Sequence, residues 1–149
     1  MAMADRTATT VWQGDLAHGN GNLTLDTSGA SGDLPVTWAS RSTDRAEGRT
    51  SPEELVAAAH ASCFSMALSH ELSEAGHEPE RLEVSSTVTF DMVDDAPTVT
   101  TSKLTVRGRV PGIDQEQFEQ AAQSAGENCP ISRALKGNLD IQVEATLES

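Results

Sequence analysis

Two cysteines hold the chemistry that this sequence can do. Cys63 lies in its most apolar stretch, "HASCFSMALSH" (60–70), and Cys129 lies in "NCPISRALKG" (128–137). A thiol attacks as its thiolate. Apolar surroundings push a thiol's pKa up, and a nearby cation pulls it down. Taken alone, Cys63 reads as a small hydrophobe filling a core, because free cysteine is among the most buried residue types. A nucleophilic role needs a positive group beside it. His60, one turn earlier, shares its helix face, although a lone histidine there also fits a satisfied helix residue. Arg41, Arg45 and Arg49 in "RSTDRAEGRT" (41–50) are the stronger source, since arginine keeps its proton. Glu53 is placed to orient that arginine, or simply to complement the helix dipole.

Geometry limits that arrangement. Glu53 and Cys63 are ten positions apart, so a straight helix separates them by about 15 Å. One arginine reaches both only if the loop folds back, the helix bends, or a second subunit supplies a partner. Two helices related by a two-fold axis would set the start of one near the middle of its mate. Cys129 precedes Pro130 and is expected at the N-terminus of a short helix, where free N–H groups favour a thiolate. The alternative is an incidental capping residue. Two thiols in such settings fit a peroxidatic and resolving pair.

Several elements must position these groups. "ATTVWQGD" (7–14) reads as a first strand, "HGNGN" as a Gly-rich turn, "LTLDTSG" as a second strand and "LPVTWAS" as a short third strand. Residues 41–50 read as an exposed loop. Ser51 as N-cap, Pro52 at the first helical position and Glu54 three after the cap open the clearest helix. From Leu55 to Leu68 its only polar residues are His60, Ser62 and Ser65, so burial on most sides is expected. Gly76 stops it. "LEVSSTVTFDMV" (82–93) alternates, with Leu82, Val84, Val88, Phe90 and Met92 on one face. "DDAP" turns the chain into a return strand (98–110) with Leu104, Val106 and Val110 inward. A second helix (113–126) carries Phe118, Ala121, Ala122 and Ala125, "CPISRALKG" forms a short helix closed by Gly137, and "LDIQVEATLE" (139–148) is the last strand. Mostly antiparallel strands with interspersed helices give an α+β layer fold.

Bulk properties narrow the partners. A chain of 149 residues is expected to be one domain, 1–149. Only 3% of it is aromatic, so Ala, Val, Leu and Met fill most of the core, and a modest core favours association through an apolar face. A net charge of −13 argues against nucleic acid and anionic membranes. No apolar run is long enough to span a bilayer, and "MAMADRTATT" has no signal-peptide core, so the expected location is the cytoplasm. Two cysteines are too few for a disulfide scaffold, and no CxxC or His/Cys cluster points to zinc. In a reducing compartment, a disulfide between them would be transient and catalytic.

"SPEELVAAAHASCFSMALSHELSEAG" and "NCPISRALKG" resemble the two cysteine signatures of the osmotically inducible protein C family. These are thiol peroxidases related to the organic hydroperoxide resistance proteins. "VWQGDL", "WASR" (38–41) and "VPGID" (110–114) extend the resemblance over almost the whole chain, and "HASCFSMAL" is nearer the osmotically inducible branch. The resemblance implies antiparallel sheets packed on a long buried central helix, in an intertwined homodimer with two active sites at the interface. It implies that Cys63 attacks a peroxide and Cys129 resolves the product as a disulfide. Arg41 would activate Cys63 and Glu53 would hold Arg41, with Arg45 or Arg49 as alternative activators and Glu54 as second choice for the acid.

The chemistry expected is a cysteine-based peroxidase acting on small organic hydroperoxides and, more slowly, on hydrogen peroxide. An external thiol would reduce the disulfide, and no metal, haem or flavin cofactor is needed. Phe64 and Met66 are expected in the apolar wall that favours an alkyl group. Two other classes fit the same residues: a disulfide oxidoreductase or redox sensor, and a non-catalytic dimeric stress or ligand-binding protein.

Overall fold

The computed structural model describes residues 2–148. They form two compact units, Met1–Pro52 and Glu53–Ser149.

In the first unit, β1 (Thr9–Gln13), β2 (Asn20–Thr24) and β3 (Leu34–Val36) form an antiparallel sheet in that order. The second strand begins inside the stretch expected to be a turn. Gly21 explains this: it pairs with Trp12 and with Val36, and a Cβ there would sit 2.9 Å from atoms of both side chains. The glycine serves close strand packing, not a bend. The third strand is also shorter than expected. Thr37 caps a five-residue helix, α1 (Trp38–Ser42), with Ser40 completing a capping box. Arg41 therefore lies on a helix, not in an open loop.

The second unit holds α2 (Pro52–Glu74), β4 (Arg81–Val93), β5 (Ala96–Arg109), α3 (Gln115–Asn128), α4 (Pro130–Leu135) and β6 (Asp140–Leu147). Gly76, at φ +87°, ends the turn after α2 while His77 N–H bonds Leu72 O at 2.8 Å. β4 and β5 form a hairpin whose central Asp94 and Asp95 both have positive φ, as a two-residue turn matching strand twist requires. A register shift at Thr89/Phe90 precedes the tip, and Met92 there is exposed rather than inward. β6 pairs with β5 in parallel, so α3 and α4 form the crossover that parallel neighbours need.

Leu104 and Val106 of β5, with Val110 just past its end, are buried with Phe64, Leu68 and Leu72 of α2 and Phe118, Ala122 and Ala125 of α3. α3 runs past the point where Gly126 was expected to end it. A Cβ at Gly126 would lie 2.6 Å from Val143 Cγ2, so this glycine lets α3 approach β6 closely. Gly108 does the same under the Phe118 ring. α2 buries one stripe, His60, Phe64, Leu68 and Leu72, after Glu53. Its other apolar residues are less covered than their composition implied, and Met66 is 73% exposed.

Candidate active site

Local chemistry places both sulfurs. Cys63 stands mid-helix on α2, beside the buried stripe, and is half-buried. Cys129 stands at a helix–helix corner. Its N–H closes α3 on Ala125 O at 2.9 Å. Pro130 lacks an N–H and disfavours helical geometry in the preceding residue. Cys129 accordingly adopts extended angles (φ −61°, ψ 141°) and starts α4 as its N-cap. The corner turns its thiol inward, and Cys129 is 1% exposed.

The two thiols are near enough to interact. Burial pushes the Cys63 thiol above its ordinary range, the Ile131 backbone N–H pulls it back, and the neighbouring Cys129 thiol raises it further. Neither cysteine is in a disulfide. Cys129 Sγ also meets the Ser132 hydroxyl at 3.0 Å and accepts from Ser132 N–H at 3.4 Å.

His60 does not act as a cation for Cys63. It is fully buried, its Nδ1 lies 2.6 Å from Ser102 Oγ, and its Nε2 lies 2.7 Å from Ser132 Oγ. Burial lowers its pKa, which favours the neutral ring. Phe64 is also not a substrate wall, because it is fully buried in the core. Met66 is accessible.

Glu53 is buried in the first turn of α2, at 6% exposure, whereas Glu54 is exposed. Arg41 is half-buried in the last turn of α1. Arg49 is exposed and pairs with Glu47 at 3.6 Å, and Arg45 is exposed. Ser102, Ser132 and the Ile131 N–H had no part in the sequence-based site. The spacing of Ser132, three after a capping Cys129, was the available signal.

The family model for "OsmC-like protein" matches residues 44–144. The peroxiredoxin OsmC of Escherichia coli (strain K12) is 38% identical over 133 residues, spanning 89% of this chain and 91% of that protein.

The chain belongs to the OsmC-like family.

The organic hydroperoxide resistance protein OhrB of Bacillus subtilis (strain 168) is 33% identical over 95 residues, spanning 64% of this chain and 68% of its own. The crystal structure of the Bacillus subtilis OhrB superposes with a TM-score of 0.72 at 28% identity, covering 94% of this OsmC-like chain and 98% of that one. The α+β architecture is thus that of the family. No helix among the described residues is long and apolar enough to cross a membrane.

Proposed function

We propose that this protein is a thiol-dependent peroxidase that reduces organic hydroperoxides, and hydrogen peroxide more slowly. The observation that carries the reading is that Cys63 and Cys129, residues far apart in the chain, are brought near enough to interact. The names of the relatives, a peroxiredoxin and an organic hydroperoxide resistance protein, support the substrate class.

The Cys63 thiolate attacks one peroxide oxygen. An S–O bond forms, the O–O bond breaks, and the other oxygen leaves as alcohol or water. Cys63 becomes a sulfenic acid. Cys129 attacks the oxidised sulfur, forming the disulfide and releasing water, and an external thiol in the cytoplasm restores both cysteines.

Burial opposes the attacking thiolate, so the step needs a cation. Arg41, held by Glu53, takes that role; its fork lowers the thiol pKa and stabilises charge developing on the peroxide oxygens. Association into a homodimer is part of the proposal. Each unit has exposed apolar residues, Val11 in the first and Met66 in the second, that a second copy would cover.

Mass spectrometry after one equivalent of cumene hydroperoxide tests the reading. The expected product is about 2 Da lighter and carries a Cys63–Cys129 crosslink. A protein left at its reduced mass, with both thiols free, overturns it.

A further inference from the structure

The peroxidase reading gives no part to His60, although it is a buried titratable group. His60 joins two serines that extend in opposite directions. On one side Nε2 lies 2.7 Å from Ser132 Oγ, which lies 3.0 Å from Cys129 Sγ. On the other side Nδ1 lies 2.6 Å from Ser102 Oγ, which lies 2.9 Å from Ser86 Oγ. A continuous hydrogen-bonded chain therefore starts at a sealed sulfur and ends at a half-buried hydroxyl on β4.

We propose that Ser132, His60, Ser102 and Ser86 form a proton relay that discharges the buried Cys129 thiol as it closes the disulfide. The inference rests on the peroxidase reading and concerns its second half. Cys129 must lose a proton to attack, and at 1% exposure it has no ready path to bulk water. Ser132 is the catalytic residue of this step, since its hydroxyl touches the reacting sulfur. His60 and Ser102 act through it.

A neutral imidazole has one N–H and one bare nitrogen, and a hydroxyl both donates and accepts. The chain can therefore run in either direction. With the proton on Nδ1, Cys129 S–H donates to Ser132, Ser132 to Nε2, Nδ1–H to Ser102, and Ser102 to Ser86. With the proton on Nε2, every donor is reversed, and the Ser132 hydroxyl joins its own N–H in pointing at a thiolate. Passing between the two moves one proton along each link. The sulfur loses its proton and Ser86 releases its own at the half-buried end. No imidazolium forms, which suits a ring whose charged form burial disfavours.

The step balances. The Cys129 electron pair forms the S–S bond as the S–O bond of Cys63 sulfenic acid breaks. The departing hydroxide takes a proton from solvent on the half-exposed Cys63 side. One proton leaves through the relay and one enters with the leaving group, so the net product is the disulfide and one water. The oxidant is the organic hydroperoxide that made the sulfenic acid.

The test separates the two halves of the reaction. Wild type, Ser132→Ala, Ser132→Thr, Ser102→Ala and Ser102→Thr receive one equivalent of cumene hydroperoxide. Rapid quench then follows dimedone-trapped sulfenic acid on Cys63 and disulfide formation, with thermal melting to check folding. Sulfenic acid forms at the wild-type rate in all five. Disulfide formation slows by about 10²-fold in Ser132→Ala and by a smaller factor in Ser102→Ala, and the threonine variants recover. Ser102 lies three hydrogen bonds from the sulfur, so its effect is not explained by a displaced Cys129.

An unchanged disulfide rate in either alanine variant overturns the relay. So does nitrogen-15 NMR of the reduced protein showing both His60 ring nitrogens protonated at neutral pH, a measurement that needs no variant to fold. If wild type makes no sulfenic acid, the peroxidase reading fails instead. The relay is then decided in a Cys63→Ser background by the rate at which iodoacetamide alkylates Cys129. Slower alkylation with Ser132→Ala upholds it, and an equal rate overturns it.

Discussion

The two thiols are near enough to interact, yet their surroundings differ in kind. Cys63 is half-buried on a helix flank, and burial raises its pKa with only the Ile131 N–H in opposition. Cys129 is sealed at a corner between helices and bonded to a serine that leads to a buried imidazole. The contrast suits the two tasks proposed for them. A sulfur that meets a small substrate must be reachable, and it needs a strong cation to ionise against apolar surroundings. A sulfur that meets only its partner can be shut away, and then needs an internal outlet for its proton.

Removing each sulfur breaks the comparison most completely. Cys63→Ser is expected to abolish consumption of cumene hydroperoxide. Cys129→Ser is expected to give one turnover and then stall, with Cys63 climbing to the sulfinic acid under excess peroxide. Peroxide assay and intact mass read both outcomes, and wild-type turnover by the Cys63→Ser protein would sink the assignment. Arg41→Ala comes next. It is expected to move the alkylation-versus-pH curve of Cys63 to higher pH, since loss of a cation leaves burial unopposed. An unmoved curve transfers the role to Arg45 or Arg49.

The smallest effect sharpens the other side. Burial lowers the His60 pKa from 6.5, so below that pH the unfolded chain binds a proton that the folded ring resists. The His60 contribution to stability is complete above about pH 6.5 and is lost as the pH falls toward the folded pKa, with a slope of at most about 1.4 kcal/mol per pH unit. His60→Gln removes this titration. Its melting temperature, lower overall, is expected to fall less steeply than that of wild type between about pH 6.5 and 5. Parallel curves would mean that His60 titrates alike in both states.

Features set by neighbouring residues are the ones visible in the sequence. The signals that open and close α2, Pro52 and Gly76, bracket the helix that forms. The inward placement of Leu104, Val106 and Val110 survives, the first two on β5 and the third just past its end. Pro130 sets Cys129 at the start of α4. Misreadings fell where a residue answers to a distant neighbour. Gly21 fell in an expected turn and Gly126 at the expected end of a helix, but each makes room for a side chain from a neighbouring strand. Trp38 to Arg41 carries apolar and polar residues without a clear period, so the Thr37–Ser40 capping box passed for strand and loop. Phe64 and Met66 are two residues apart on an apolar helix, and composition could not show that one faces the core and the other solvent.

The sequence by itself determined the two candidate thiols, the helix that carries the first, the corner that carries the second, and the family to which both motifs belong. These signals are local: a cap, a proline, a periodic face, a short run around a cysteine. Only the tertiary structure decided that the thiols meet, that one is sealed while the other is not, and that His60 faces serines instead of the sulfur on its own helix. His60 lies 42 positions from Ser102 and 72 from Ser132. No local propensity links residues so far apart; packing α2 and α4 against β5 brings those three polar groups into a dry interior, where each is satisfied by the others.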